Sequence, residues 1–181
     1  MGRTDEWPTP RWLVDQLAAE FGPFDLDPAA TAGNAKAPMF YTAADNGLSR
    51  EWRGRIWLNP PYGRNIGAWT RKAAAEARHG TASTVVALVP ASVDAAWFRQ
   101  AAADSALVRF WPGRIHFGDG DRAPFPSAVL VFGRLPGRHG TIPACCAAPA
   151  CGRVFWPARS DARTCSPACR KALSRVTPAV A

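Results

Sequence analysis

An open α/β sheet with helices on both faces is the fold this sequence predicts, and three observations predict it. Short apolar runs of strand type alternate along the chain with stretches of helix type. Thr84-Val85-Val86-Ala87-Leu88-Val89 is apolar without alternation, as expected of a strand covered on both faces of a mostly parallel sheet. Pro28, Pro60 and Pro90 each close such a run, which a residue without a backbone N–H does well. The 181 residues suffice for one ordinary domain, or one domain with a small appendage.

The elements follow in order. Thr9-Pro10 reads as a helix start, with Thr9 as N-cap and Pro10 at the first helical position. Leu13, Leu17 and Phe21 then recur at four-residue spacing, and Gly22 fits the stop. Phe24-Asp25-Leu26-Asp27 is a short strand. Residues 29–54 read as irregular, with Gly33-Asn34 and Asp45-Asn46-Gly47 as turns. Ile56-Trp57-Leu58 is the next strand, and Ile66–His79 an Ala-rich helix stopped by Gly80. After strand 84–89, Asp94–Ala103 reads as a helix with Trp97 and Phe98 inward, and Leu107–Phe110 as a strand. Ile115-His116-Phe117 and Ala128–Phe132 are expected to pair antiparallel across the loop Gly118-Asp119-Gly120-Asp121. Pro136-Gly137-Arg138-His139-Gly140 has linker composition, which predicts a main domain over 1–135, a linker over 136–144 and a small module over 145–176.

Charge and cysteine are uneven. The formal net charge is +8, yet residues 138–181 hold seven Lys and Arg against Asp161 alone. A basic tail suits a polyanion such as DNA, and equally a solvated, solubilising segment. All five cysteines lie between Cys145 and Cys169. No run of 18 apolar residues predicts a membrane span, and Met1–Trp7 lacks the apolar stretch of a signal peptide, so a cytoplasmic location is expected. In that compartment, clustered cysteines argue for a metal rather than disulfides.

Asn59-Pro60-Pro61-Tyr62, directly after the strand Ile56–Leu58, is the most informative stretch. It offers an amide side chain, a carbonyl stiffened by two prolines and an aromatic face. Acceptors on the two hydrogens of a planar amino group draw its nitrogen toward a tetrahedral, more basic state that can be alkylated. In open α/β sheets ligands sit outside the carboxyl ends of the strands, so Asp27 and Asn59 are expected at one crevice.

Around this turn, in order, stand Trp7-Pro8-Thr9-Pro10, Phe24-Asp25-Leu26-Asp27-Pro28-Ala29-Ala30, Asn46-Gly47-Leu48 with Trp52, Leu88-Val89-Pro90, Trp97-Phe98 and Gly113-Arg114-Ile115-His116-Phe117. Over about residues 5–133 the chain resembles the phage and prophage DNA N6-adenine methyltransferases of Dam type. The resemblance implies the Rossmann-like fold of methyltransferases that use S-adenosylmethionine, with double-stranded DNA as partner. It also implies roles. Asn59 Oδ1 and the Pro60 carbonyl would hold the adenine amino group, Pro61 would stiffen the turn, and Tyr62 would stack on a base flipped from the duplex. Asp27 would contact the cofactor's ammonium or ribose hydroxyls, or else cap the following turn; Asp25 is a weaker candidate. Trp7, Thr9 and Pro10 match a segment near the cofactor, though Trp7 also suits a core and Thr9 an N-cap. Asp45 would help hold the target amino group, or serve only its turn. The chain departs from nucleotide-binding folds in having no Gly-x-Gly-x-x-Gly loop.

In the tail, Cys146-x4-Cys151 and Cys165-x3-Cys169 give two close pairs thirteen residues apart, the requirement of a tetrahedral zinc site. Cys145 competes with Cys146, and His139 is an outside candidate. A knuckle, a hairpin through Val154-Phe155-Trp156 and a ligand-bearing helix resemble a treble-clef zinc finger, with a structural zinc. Two alternatives stay open. The same turn suits a protein glutamine amide or an RNA base, and a DNA-binding module without activity would carry the same basic tail. The DNA target and the oligomeric state are not legible in the sequence.

Overall fold

The strand Ala82–Pro90 lies inside the main sheet, with a neighbouring strand on each side. Val85 to Val89 are each fully buried, so both of its faces are covered. The computed structural model describes residues 7–117, 122–135, 144–145, 154–155 and 171. The chain divides into two units, Met1–Pro136 and Gly137–Ala181.

In the first unit the order is α1 (Arg11–Phe21), β1 (Leu26–Asp27), β2 (Met39–Phe40), β3 (Gly54–Leu58), α2 (Ile66–His79), β4 (Ala82–Pro90), α3 (Ala96–Asp104), β5 (Leu107–Phe110) and β6 (Ser127–Gly133). These six strands form one sheet in the order β2-β1-β3-β4-β6-β5. β2, β1, β3 and β4 are parallel, while β6 runs antiparallel to both β4 and β5. The chain therefore enters at β1, moves outward to β2, then crosses back to β3 on the other side of β1. That reversal is the switch point at which open α/β sheets bind ligands.

Alternation along the strands sorts the two faces. Leu26, Ile56, Leu58, Val85, Ala87, Val89, Ala128, Leu130 and Phe132 join α2 and α3 in one apolar cluster, through Ile66, Trp69, Ala73, Phe98 and Ala101. The opposite face carries Trp57, Val86, Leu88, Val129 and Val131, all buried. α1 is amphipathic, with Leu13, Val14, Leu17 and Phe21 buried. It is tied to β5 by a bidentate ion pair, Arg109 to Glu20 at 2.5 and 2.8 Å, with the Arg109 guanidinium 5.8 Å from the Phe21 ring.

Several expectations are corrected. α1 begins one residue later than Thr9-Pro10 predicts: Pro10 is the N-cap, and its carbonyl accepts from Leu13 N–H. Thr9 caps nothing; its Oγ1 is buried without a hydrogen-bond partner among the described residues. Helix α3 spans Ala96–Asp104 rather than Asp94–Ala103, with Phe98 buried and Trp97 partly so. The region 29–54 contains an edge strand, Met39–Phe40, that pairs with β1. His116 bridges Arg122 instead of pairing with 128–132, whose partners are β4 and β5.

In the second unit, β7 (Ala144–Cys145) pairs antiparallel with β8 (Val154–Phe155), with Cys145 opposite Val154. Cys146, Cys151, Cys165, Cys169 and His139 lie outside the described residues.

Candidate active site

A cavity of about 360 Å³ opens at the switch point. Pro28 to Thr31 follow β1, Thr42 and Ala43 follow β2, and Asn59 to Pro61 follow β3; all line it. Asn46-Gly47-Leu48, the Gly63-Arg64-Asn65 lead into α2, Trp69 and Trp7 complete the wall. Its size falls within the range of small-molecule sites, and its walls mix apolar rings with a few polar groups.

Asn59 is the best-defined polar group there. Its Nδ2 donates to the Trp7 carbonyl at 2.5 Å, across 52 residues of sequence. Its Oδ1 is buried and has no hydrogen-bond partner among the described residues. A buried acceptor left unpaired is costly unless something comes to meet it. Pro60 is buried and Pro61 partly buried, which stiffens the turn directly after Asn59.

Tyr62 points elsewhere. Its hydroxyl donates to the Leu88 carbonyl at 3.3 Å, and its ring stands edge-on to Phe125 (5.4 Å) and Phe117 (6.3 Å). Burial pushes the phenol up from its ordinary value. The Tyr62 ring is not among the cavity-lining residues, whereas Trp7 and Trp69 are.

The carboxylates are occupied with backbone. Asp27 ends β1 and is 3% exposed. Its Oδ1 accepts from Ala29 N–H at 3.3 Å and its Oδ2 from Lys36 N–H at 3.1 Å. Desolvation raises its carboxyl from 3.8 to about 6, against the pull of those two amides. Asp27 thus shapes the loop Pro28–Thr31 and does not itself line the cavity. Asp25 lies before β1, at the far end from the crevice, and its Oδ2 accepts from Arg55 N–H at 2.8 Å. Gly54 is required beside it: its φ is +82°, and a Cβ there would sit 2.5 Å from Asp25 Oδ2. Asp45 closes its own turn, accepting from Thr42 N–H (2.8 Å) and Thr42 Oγ1 (2.7 Å). Those two bonds, the side-chain one first, hold its carboxyl below the ordinary value. Of the anticipated residues, the cavity therefore gathers Trp7, Asn59, Pro60 and Pro61. Thr9, Pro10, Asp25, Asp27, Asp45 and Tyr62 do not line it.

Gly47 is a wall residue that residue type alone undervalues. A Cβ there would lie 2.0 Å from the Pro28 carbonyl oxygen and 3.2 Å from the Trp69 ring. The Gly47 carbonyl accepts from Trp52 Nε1 at 2.9 Å, and Trp52 stacks on Trp69 at 6.1 Å. This braces the loop 45–48 against the one after β1. Residue type alone does not mark Thr31, Asn34, Thr42, Arg64, Asn65 and Trp69 as site residues, yet all six line the cavity. The available signal was position: most follow a strand end or the Asn59–Tyr62 turn.

The fold and crevice define an α/β protein with a mixed, mostly parallel six-stranded open sheet and a site at its carboxyl edge, consistent with a Rossmann-like methyltransferase. The family described as DNA N-6-adenine-methyltransferase (Dam) matches residues 2–129. The chain belongs to that family. It is 36% identical over 106 residues to the DNA N-6-adenine-methyltransferase of Escherichia phage T1, covering 58% of this chain and 43% of the phage protein. It is 34% identical over 96 residues to the protein of the same name from Haemophilus phage HP1, covering 52% and 54%. A putative methyltransferase of Escherichia coli K12, YfdM, is 38% identical over 65 residues, 71% of its length. The chain thus spans about half the length of the two phage relatives it matches. Among the described residues, no helix is long and apolar enough to cross a membrane.

Proposed function

We propose that this chain is an S-adenosylmethionine-dependent methyltransferase acting on the N6 amino group of adenine in double-stranded DNA. The observation that carries it is the buried, unpaired Oδ1 of Asn59, a residue of the cavity wall at the switch point whose Nδ2 is bound to the Trp7 carbonyl. Family membership over residues 2–129 supports the reaction class.

The residues fit both ligands in kind. The loop Pro28–Thr31, ordered from behind by Asp27, and the residues Thr42 and Ala43 would hold the cofactor. Bound there, S-adenosylmethionine supplies a methyl group on a sulfonium, already activated for transfer. The protein's contribution is positioning. Asn59 Oδ1 accepts one hydrogen of the target amino group, and the Pro60 carbonyl is the nearest candidate for the other. These acceptors localise the nitrogen lone pair and face the positive charge that develops there in the transition state. Such a base must leave the duplex stack to reach the cavity. Trp69 is the aromatic side chain at hand in the wall, Trp7 contributes its backbone carbonyl to Asn59, and Tyr62 acts through the Phe117–Phe125 cluster that seats it.

For the second unit, the proposal is a structural zinc held by Cys146, Cys151, Cys165 and Cys169, in a basic module that grips DNA phosphates. The donor spacing and the surrounding arginines support it.

Purified protein incubated with methyl-labelled cofactor and unmethylated duplex DNA tests the reading. Label is expected at adenine N6 and absent with Asn59→Ala that remains folded. Label only in RNA or protein would move the acceptor to another class, and DNA binding without transfer would reduce the chain to a binding module.

A further inference from the structure

The hydrogen bond that turns Asn59 comes from outside the sheet, from the segment that precedes α1. An amide side chain has two ends of nearly equal size and opposite character. Only one end-for-end orientation offers an acceptor to the substrate; the other would set its NH2 against the substrate's own NH2. The Trp7 carbonyl decides between them, because a flipped amide would place oxygen against oxygen at 2.5 Å. That carbonyl is fixed from both sides. The Trp7 ring is held edge-on by Phe117 (5.5 Å, 68°) and Phe125 (5.1 Å, 85°). Downstream, Thr9 is buried and Pro10 caps α1, which the Arg109–Glu20 pair anchors to β5.

We propose that Trp7 is a positioning residue. Seated between Phe117 and Phe125, it locks the Asn59 amide through its backbone carbonyl, so that the site demands an amide at position 59 and rejects an ionised carboxylate. This rests on the methyltransferase reading only for its kinetic readout. A carboxylate has no proton to give the Trp7 carbonyl; a protonated carboxyl does, and its remaining oxygen then stands where Asn59 Oδ1 stands. Asn59→Asp is therefore active only in its protonated form.

The experiment has two arms. In the first, Asn59→Asp is assayed for methyl transfer across pH. Its rate is expected to climb toward acid pH with about unit slope, a limb absent from the parent protein. Trp7→Phe, which keeps a ring between Phe117 and Phe125, should preserve that limb in the double variant. Trp7→Ala should abolish it and lower the parent's kcat. An Asn59→Asp protein with the parent's pH profile and near-parent activity at neutral pH would overturn the proposal.

The second arm does not depend on activity. The Asn59 side-chain NH2, assigned in a 15N–1H spectrum by its disappearance in Asn59→Ala, should show one proton shifted and protected from solvent exchange. That protection should survive in Trp7→Phe and be lost in Trp7→Ala. A freely exchanging NH2 in the parent protein would overturn the lock even if methyl transfer is observed. A protected one would uphold it even if DNA proves not to be the acceptor. If Trp7→Ala does not fold, the parent spectrum and the Asn59→Asp profile decide the matter.

Discussion

Replacing Gly47 by alanine adds one methyl group, and the surroundings leave no room for it. The new Cβ would sit 2.0 Å from the Pro28 carbonyl oxygen, about 1.4 Å short of the 3.4 Å at which ordinary contact begins. Neither obstacle is the tip of a flexible side chain: one is backbone, the other is the Trp69 ring, itself stacked on buried Trp52. The loop 46–48 and the loop after β1 must therefore separate by about an ångström, and both line the cavity. Overpacking of this kind costs about 1–3 kcal/mol. For a chain of this size that lowers Tm by roughly 2–12 °C. A displacement of about 1 Å at a catalytic site costs on the order of 100-fold in rate. The assay pairs a thermal melt with kcat/KM for methyl transfer. Gly33→Ala is the internal control: it lies in the same region, and its Cβ would meet only Thr31 Oγ1 at 4.0 Å. It should leave both quantities close to the parent. Parent-like stability and activity in Gly47→Ala would refute the steric argument.

Asp27 yields a pH prediction. Its carboxyl is 3.8 unfolded and about 6 folded, so between these values the native state holds the proton that the unfolded state has lost. Stability therefore falls as pH rises from about 4 to about 6 and is flat above, by about 3 kcal/mol at most. Asp27→Asn should flatten this slope in urea melts across that window, while losing one of the two backbone bonds from Ala29 and Lys36. Tyr62→Phe removes the bond to the Leu88 carbonyl and should cost about 0.5–1.5 kcal/mol with most activity retained, since the ring contacts remain. A loss of more than tenfold in kcat would show that the hydroxyl does chemistry. Protein purified in metal-free buffer should carry close to one zinc per chain, lost in Cys165→Ser; a stoichiometry near zero would remove the zinc proposal.

What the sequence disclosed and what it hid have physical causes. β4 was legible because a strand buried on both faces is apolar at nearly every position, and Pro90 marks its end. The edge strand Met39–Phe40 was not: it has two residues, both exposed, and no alternation. Thr9-Pro10 reads as a cap and first turn, but the Thr9 hydroxyl is buried without a partner among the described residues instead of bonding the helix. Residues 115–117 and 128–132 both read as strands and look like an antiparallel pair, but the partners of 128–132 are β4 and β5. At the site, Asn59 and its prolines announced themselves by residue type at a strand end. The aim of Tyr62 did not, because its partners Phe117 and Phe125 lie more than fifty residues away. Asp25 and Asp27 look alike in sequence, yet each answers to different backbone amides. The Trp7 carbonyl was invisible in principle, since every residue has one and only the fold decides where it points.

The central claim is that Asn59 presents an acceptor to the amino group of adenine in DNA. The most direct test is nucleoside mass spectrometry of DNA from a host without adenine methylation of its own, expressing either this chain or Asn59→Ala. The account predicts N6-methyladenine with the parent chain and none with the variant at equal soluble expression. N4-methylcytosine in its place, or N6-methyladenine that persists in Asn59→Ala, would contradict it.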